Sequence, residues 1–328
     1  MGFLENKSVL ITGGTGSFGK AFVSRIMKED LVSKLVVFSR DELKQFEMAE
    51  TIKSPKVSFI LGDVRDYQRL LQATDGIDVI VHAAAMKQIP AAEDNPIEAI
   101  KTNILGAENI INSAIRNGVQ RVLALSTDKA ANPANLYGAT KLCSDRLMIA
   151  GNALAGSHET RFACVRYGNV LGSRGSVIPF FIQKAKSGLI PITDERMTRF
   201  WLTIEQGVQF VLDSLERMHG GEIFVPKIPS FKVTDVARVV CPGVPTHIIG
   251  IRPGEKLHEV MITEDDSYNT VEADKFFAVL SPALKESGVY DSKAKPVQEG
   301  FRFSSDNNVF WHTDETFLKT LKDSGILN

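Results

Sequence analysis

Thr12-Gly13-Gly14-Thr15-Gly16-Ser17-Phe18-Gly19 joins an apolar run, Ser8 to Thr12, to a helical pattern at about 17 to 29. Glycine spacing alone is a weak signal, but a glycine-rich turn between a buried strand and a helix is the setting of a dinucleotide-binding site. The glycines lack a Cβ, which allows a tight turn and a close approach of backbone to ligand. The helix N-terminus then offers unpaired N–H groups and a positive dipole end to a pyrophosphate. Gly13, Thr15, Gly16, Ser17, Phe18 and Gly19 are therefore the expected phosphate cradle.

Outward from this turn the chain repeats the same rhythm. Apolar runs at Lys34 to Phe38, Val57 to Leu61, Asp78 to His82, Arg121 to Ser126 and Phe162 to Arg166 alternate with helical stretches, including Ile97 to Arg116 and Tyr137 to Ala150. Short strands alternating with helices predict an α/β fold, a doubly wound parallel sheet of the Rossmann kind. After Arg166 the rhythm breaks and Gly, Pro and isolated charges become frequent. The expected division is a dinucleotide-binding domain at 1–168 and a smaller substrate domain at 169–328, with the segment near 205–220 packing back onto the first. The last ~45 residues are weakly patterned and carry no assignment.

The length of 328 residues suits about two domains and excludes a disulfide mini-protein. With 38 Lys plus Arg against 39 Asp plus Glu, the net charge of −1 gives no reason to expect nucleic acid as a partner. At 44% apolar and 23% charged residues, the chain is that of an ordinary soluble globular protein rather than a disordered one. Cys143, Cys164 and Cys241 form no ligand spacing and are expected to be reduced, buried thiols. The six histidines show no metal spacing, and His82 at a strand end is expected to satisfy the core, so no metal is expected. A strand within eight residues of the N-terminus leaves no room for a secretory signal, and no apolar run approaches the ~20 residues of a membrane span. A cytoplasmic setting follows as an expectation.

A site for NAD places Asp or Glu about 20 residues beyond the glycines, on the ribose 2′-hydroxyl. Here that position is Ser39, followed by Arg40 and Lys44, a hydroxyl and two cations where a 2′-phosphate would lie. NADP is expected, with NAD the alternative if Arg40 and Lys44 are solvated and Asp41 faces the ribose. Asp63 and Val64 end the third strand near the adenine, and Ala83 follows the fourth strand on the cofactor side.

Tyr137 and Lys141 are spaced i, i+4 and share one helical face. A cation beside the phenol, with a positive nicotinamide, lowers the tyrosine's pKa so that it can accept a hydroxyl proton as hydride leaves carbon. Together with the glycine turn and with Ser126-Thr127 ending the fifth strand, these residues resemble the extended branch of the short-chain dehydrogenase/reductase superfamily, which acts on nucleotide sugars. In that pattern Thr127 matches the hydroxyl position more closely than Ser126. The next residues are Asp128-Lys129, where retaining sugar 4,6-dehydratases have Asp-Glu. Thr127-Asp128-Lys129-Ala130, Ser39 to Lys44, Met197 to Trp201 and Arg252 to Glu259 are similar to the inverting UDP-N-acetylglucosamine 4,6-dehydratases that open pseudaminic acid biosynthesis.

That resemblance implies a homo-oligomer that takes UDP-N-acetylglucosamine. Oxidation at C4 acidifies the C5 hydrogen, Lys129 removes it as base, and Asp128 as acid assists loss of the C6 hydroxyl. Lys129 would then need a depressed pKa, from burial and from the cations Lys141 and NADP⁺, and Asp128 would need to hold a proton. Lys87, past the fourth strand, is expected to meet either cofactor or sugar, and Val170 to pack on the nicotinamide; the resemblance implies substrate contacts from Asn169, Arg199 and Arg252, with Glu255 expected on a ribose and Thr193 on the nucleotide. Two other functions fit the same scaffold. A nucleotide-sugar C4 epimerase needs Tyr137 and Lys141 but makes no demand on Asp128 and Lys129, and a non-catalytic NADP sensor needs only the glycine turn.

Overall fold

The strand that precedes the glycine turn is the centre of the molecule. In a computed structural model describing residues 2–173, 176–290 and 293–327, β1 (Ser8–Thr12) lies between β2 (Lys34–Ser39) and β4 (Val79–His82), parallel to both. Val9, Leu10 and Ile11 are fully buried, as are Val79, Ile80 and Val81. A strand covered by helices on both faces must be apolar along its whole length, which is why these runs do not alternate. β3 (Val57–Leu61) forms one edge, and β5 (Arg121–Thr127) and β6 (Arg161–Tyr167) follow β4 on the other side, giving the order β3-β2-β1-β4-β5-β6. The order reverses between β1 and β4, and the crevice at the carboxyl ends of these strands is where such sheets bind ligands.

The sheet continues past β6 through Glu222–Pro226, which is parallel to it, and then through antiparallel strands at Phe276–Leu280, Thr270–Glu272 and Lys295–Pro296, ten strands in all. The sequence pattern did not disclose these later strands, because they sit among short loops rather than in the βα rhythm. The helix Ile204–Arg217 packs on the helix Ser17–Lys28 and on β5 and β6. A second apolar cluster includes Ile178, Ile190, Trp201, Phe231 and Val236. The C-terminal stretch, unassigned from sequence, supplies Phe317 and Leu321 to that cluster through the helix Asp314–Asp323, with the Phe317 ring edge-on to Trp201 at 5.8 Å. Segments after residue 168 thus contribute to both cores.

The single helix expected at 97–116 is interrupted. An α-helical turn at Pro96–Ile100 passes into a π-helical turn at Lys101–Leu105 before the helix Gly106–Arg116. The extra residue re-aims Asn103, whose Oδ1 accepts from the Met86 N–H at 2.8 Å while Nδ2 donates to the Met86 carbonyl and to Thr140 Oγ1. A side chain that pins a neighbouring loop is the usual use of such a bulge. Cys164 and Cys241 are buried free thiols, but Cys143 is exposed, because its position on the helix Leu136–Leu154 faces away from the sheet.

Candidate functional site

Gly13 adopts φ +65°, and a Cβ there would lie 2.9 Å from the Ala84 backbone. Both the left-handed conformation and the close approach require glycine. At Gly19 a Cβ would fall 2.3 Å from the Gly14 carbonyl oxygen, so strand and helix could not pack at this distance. Gly19→Ala is therefore expected to cost about 1–3 kcal/mol of stability and to weaken dinucleotide binding; thermal melts with and without NADP check both. Thr12 ties the turn to the fourth strand, since its Oγ1 accepts from the N–H groups of Ala83 and Ala84, each at 3.2 Å, and meets His82 Nδ1 at 2.8 Å. His82 is buried, and burial together with the Lys141 cation lowers its pKa to about 3, so it is a neutral part of the core.

A cavity of about 560 Å³ opens above this turn. Its lining includes every expected cofactor residue: Gly13, Thr15, Gly16, Ser17, Phe18 and Gly19 of the turn, Ser39, Arg40 and Lys44 after β2, Asp63 and Val64 after β3, Ala83 after β4, and Tyr137, Lys141 and Val170. A glycine turn that admits no Cβ and a deep cleft at the strand-order switch fit a dinucleotide. Ser39 Oγ accepts from Thr15 Oγ1 at 3.3 Å and from Gln45 Nε2 at 3.1 Å, so its proton is left to donate to a ligand. Asp41 caps the helix Glu42–Thr51 and pairs with Lys44. Arg40, with 67% of its side chain exposed, has only a loose contact with Asp63 at 4.0 Å.

On the opposite wall, the end of β5 and the helix Leu136–Leu154 bring together the reactive groups. Asn135 caps that helix, its Oδ1 accepting from the Gly138 N–H at 2.8 Å, while Asn135 Nδ2 donates to the Gly254 carbonyl and so ties the helix start to the loop 252–259. Tyr137 and Lys141 line the cavity one turn apart. Thr127 caps the short helix Asp128–Ala131 and donates from Oγ1 to Asp128 Oδ1 at 2.9 Å, whereas Ser126 turns to Asp145 at 2.6 Å. Lys129 Nζ donates to Asp128 Oδ1 at 3.0 Å and lies 3.4 Å from Glu259 Oε1. Lys129 keeps 22% of its side chain exposed and lines the cavity, while Asp128 keeps 1% and lies behind it.

The ionisation of this group differs from the sequence expectation. Burial works against the charged form of Lys129, but the carboxylates of Asp128 and Glu259 outweigh it, and the ammonium is held above the ordinary lysine value rather than below it. Asp128 follows the expected direction: burial raises its pKa, and Lys129 opposes this only in part. Tyr137 is also reversed in the protein alone. Burial raises the phenol to about 12, against the Lys129 cation and a hydrogen bond with Thr127.

The expected substrate residues divide. Lys87 and Asn169 line the cavity, and Asn169 Oδ1 is buried without a hydrogen-bond partner among the described residues, an acceptor open to a ligand. Thr193, Arg199, Arg252 and Glu255 do not line it. Arg199, expected on a diphosphate, donates to the carbonyls of Thr198, Lys256 and Leu257 and stands 3.7 Å from Glu259. It therefore holds the loop rather than facing the cavity. Arg252 and Glu255 pair with each other across a turn at 3.7 Å, outside the cavity lining.

Sequence reading passed over two buried groups. Glu259 stands at the end of the Arg252–Glu259 motif, but nothing in a polar loop indicates that this carboxylate is 3% exposed. Arg166 reaches Asp145 at 3.4 Å, the Met261 carbonyl at 2.8 Å and Asp266 at 3.5 Å, joining the helix Leu136–Leu154 to the 260–266 segment. A lone arginine ending an apolar strand carries no such signal.

The family model described as polysaccharide biosynthesis protein matches residues 9–281. Over 327 residues, 97% of this chain and 98% of the relative, the sequence is 52% identical to the UDP-N-acetylglucosamine 4,6-dehydratase (inverting) of Campylobacter jejuni subsp. jejuni serotype O:2. It is 43% identical over 269 residues to the UDP-glucose 4-epimerase of Rickettsia canadensis, covering 80% of this chain and 79% of that one. Among solved structures, Pen from Bacillus thuringiensis superposes with a TM-score of 0.92 at 36% identity, covering 99% of this chain and 100% of that one. The chain belongs to the polysaccharide biosynthesis protein family and, within the extended short-chain dehydrogenase/reductase superfamily, to the group of the inverting UDP-N-acetylglucosamine 4,6-dehydratases.

Proposed function

We propose that this protein dehydrates UDP-N-acetylglucosamine across C4 to C6 with inversion at C5, using NADP. The product is UDP-2-acetamido-2,6-dideoxy-β-L-arabino-hex-4-ulose, the first intermediate of pseudaminic acid-type sugar synthesis. The observation that carries this reading is the meeting of two pairs at one wall: Tyr137 with Lys141 on the cavity, and Lys129 on the cavity with Asp128 buried behind it. An epimerase needs only the first. The name of the 52% identical relative supports the substrate and the inversion. Residues 1–168 are proposed to hold the cofactor and 169–328 to supply most of the sugar nucleotide site. A homo-oligomer in the cytoplasm belongs to the same proposal.

When bound, NADP supplies the oxidant for the C4 alcohol and later the reductant for C6. Tyr137 takes the proton of the C4 hydroxyl; with its phenol at about 12 in the protein alone, it depends on added positive charge from Lys141 and the nicotinamide. The ketone acidifies C5, and Lys129 as free amine takes that proton. Asp128 as free acid supplies a proton to the C6 hydroxyl through the Thr127 hydroxyl, which it meets at 2.9 Å and which lines the cavity, and the C6 hydroxyl departs as water. The pair needs one proton in its carboxyl form for this step, and a neutral amine beside a neutral acid is the distribution that burial favours. The ion pair at 3.0 Å is the same couple after both transfers. As C6 is reduced, a proton from solvent adds to C5 from the face opposite Lys129 and completes the inversion; the proton on Lys129 then returns to Asp128, and Tyr137 releases its proton to solvent.

For the cofactor, the donor hydroxyl of Ser39 beside Arg40 and Lys44 supports a 2′-phosphate. Arg40→Ala is expected to weaken NADP binding about tenfold and NAD binding less than about twofold, read by titration calorimetry. The activity itself is tested by incubating the protein with UDP-N-acetylglucosamine and following mass. Loss of one water supports the dehydratase, whereas a new sugar of unchanged mass establishes the epimerase instead.

A further inference from the structure

Glu259 is one buried anion among three cations. Its Oε1 stands 3.4 Å from Lys129 Nζ and 3.7 Å from Arg199 Nε, and its Oε2 stands 3.5 Å from Lys256 Nζ. Arg199 is fixed by three backbone carbonyls, so the carboxylate is held from behind by a rigid partner. Burial alone would raise the Glu259 pKa, but the cations Lys129, Arg199 and Lys256 bring it down to about 2, so it stays ionised. Lys256 is the counterweight: burial lowers its pKa, and among the described residues Glu259 is its one ion contact.

We propose that Glu259 is a positioning residue that anchors the Lys129 amino group at the cavity wall and, balanced by Lys256, governs the release of the proton Lys129 must lose before it can act as a base. The inference rests on the dehydratase reading above. Lys129 is long and flexible, and Asp128, its neighbour in the chain, lies behind it rather than beside the cavity. Glu259 arrives from a loop 130 residues away, tied through Gly254 to the start of the catalytic helix, and so fixes Lys129 relative to Tyr137. The charged and titratable groups facing Lys129 are Asp128 on its own helix, Tyr137 on the next, Arg199 on the strand Thr198–Leu202, and Lys256 and Glu259 on the loop.

The signs follow from charge. Lys129 acts as base only when deprotonated, and Glu259 favours its ammonium form. Removing that anion lets the amine form at lower pH, so the acid limb of kcat shifts down. Removing the Lys256 cation shifts it up. In the full-length protein with NADP and UDP-N-acetylglucosamine, Glu259→Gln is expected to move the acid limb down by about one pH unit, with KM within about twofold. Lys256→Met is expected to move it up by about half a unit, and Glu259→Asp to restore it toward the wild-type position. A loss of rate in these variants with an unmoved limb overturns the inference and leaves Glu259 merely structural. If Glu259→Gln does not fold, Lys256→Met decides alone, upward movement supporting the proposal and no movement overturning it. A wild-type protein that fails to dehydrate the sugar at any pH removes the underlying reading as well, whereas active wild type with unmoved limbs removes only this inference.

Discussion

Lys129→Ala is expected to lower dehydration by roughly 10³-fold, the loss that follows removal of a positioned general base. Lys129 lines the cavity, and its ammonium bridges Asp128 and Glu259. Truncation should leave the fold intact, because Glu259 retains Arg199 and Lys256, and burial already favours the neutral form of Asp128. The first half-reaction places no proton on Lys129, although loss of its cation raises the Tyr137 phenol further and slows that step without abolishing it. Reduction of the cofactor on adding substrate should therefore persist while water loss disappears. Stopped-flow absorbance and product mass, taken together, check this split. Full turnover by the variant would favour the epimerase, which has no use for this amine.

Tyr137→Phe should fail one step earlier. The phenol is the group placed to take the C4 proton, and its loss is expected to cost roughly 10²–10⁴-fold in both cofactor reduction and dehydration. The helix should survive, since the Asn135 cap and the bond from Asn103 to Thr140 do not involve the phenol. The two variants thus separate the redox pair from the acid–base pair. Normal cofactor reduction and unchanged sugar chemistry in Tyr137→Phe would remove the tyrosine from the mechanism.

Much of this architecture was legible because periodic burial writes itself into sequence. β1 is five residues of apolar run stopped by glycines, and its neighbours share that form. The glycine turn, Asp63, Val64 and Ala83 followed from the same pattern, since each stands just after a strand end, whereas Tyr137 and Lys141 were read from their i, i+4 spacing. Arg199 and Glu259 were not legible in the same way. Arg199 lies on the short strand Thr198–Leu202 and Glu259 in a loop, both outside the βα rhythm, and only the folded chain shows that they bury against each other at 3.7 Å. The ionisation of Lys129 was misjudged because sequence reasoning weighed the cation Lys141, whereas the carboxylates of Asp128 at 3.0 Å and Glu259 at 3.4 Å outweigh burial. The π-helical turn at Lys101–Leu105 was equally hidden, because its cause is the reach of Asn103 to Met86 in another loop.

Lys129 is proposed to remove the C5 proton of UDP-N-acetylglucosamine, and a solvent proton to add from the other face. Incubation of the purified protein with that sugar in deuterated water, followed by proton NMR, tests it in one spectrum. The expected product is a 4-keto-6-deoxy sugar carrying solvent deuterium at C5 with inverted configuration. A product that keeps the C5 configuration of the substrate, or that carries no deuterium there, would contradict the role given to Lys129.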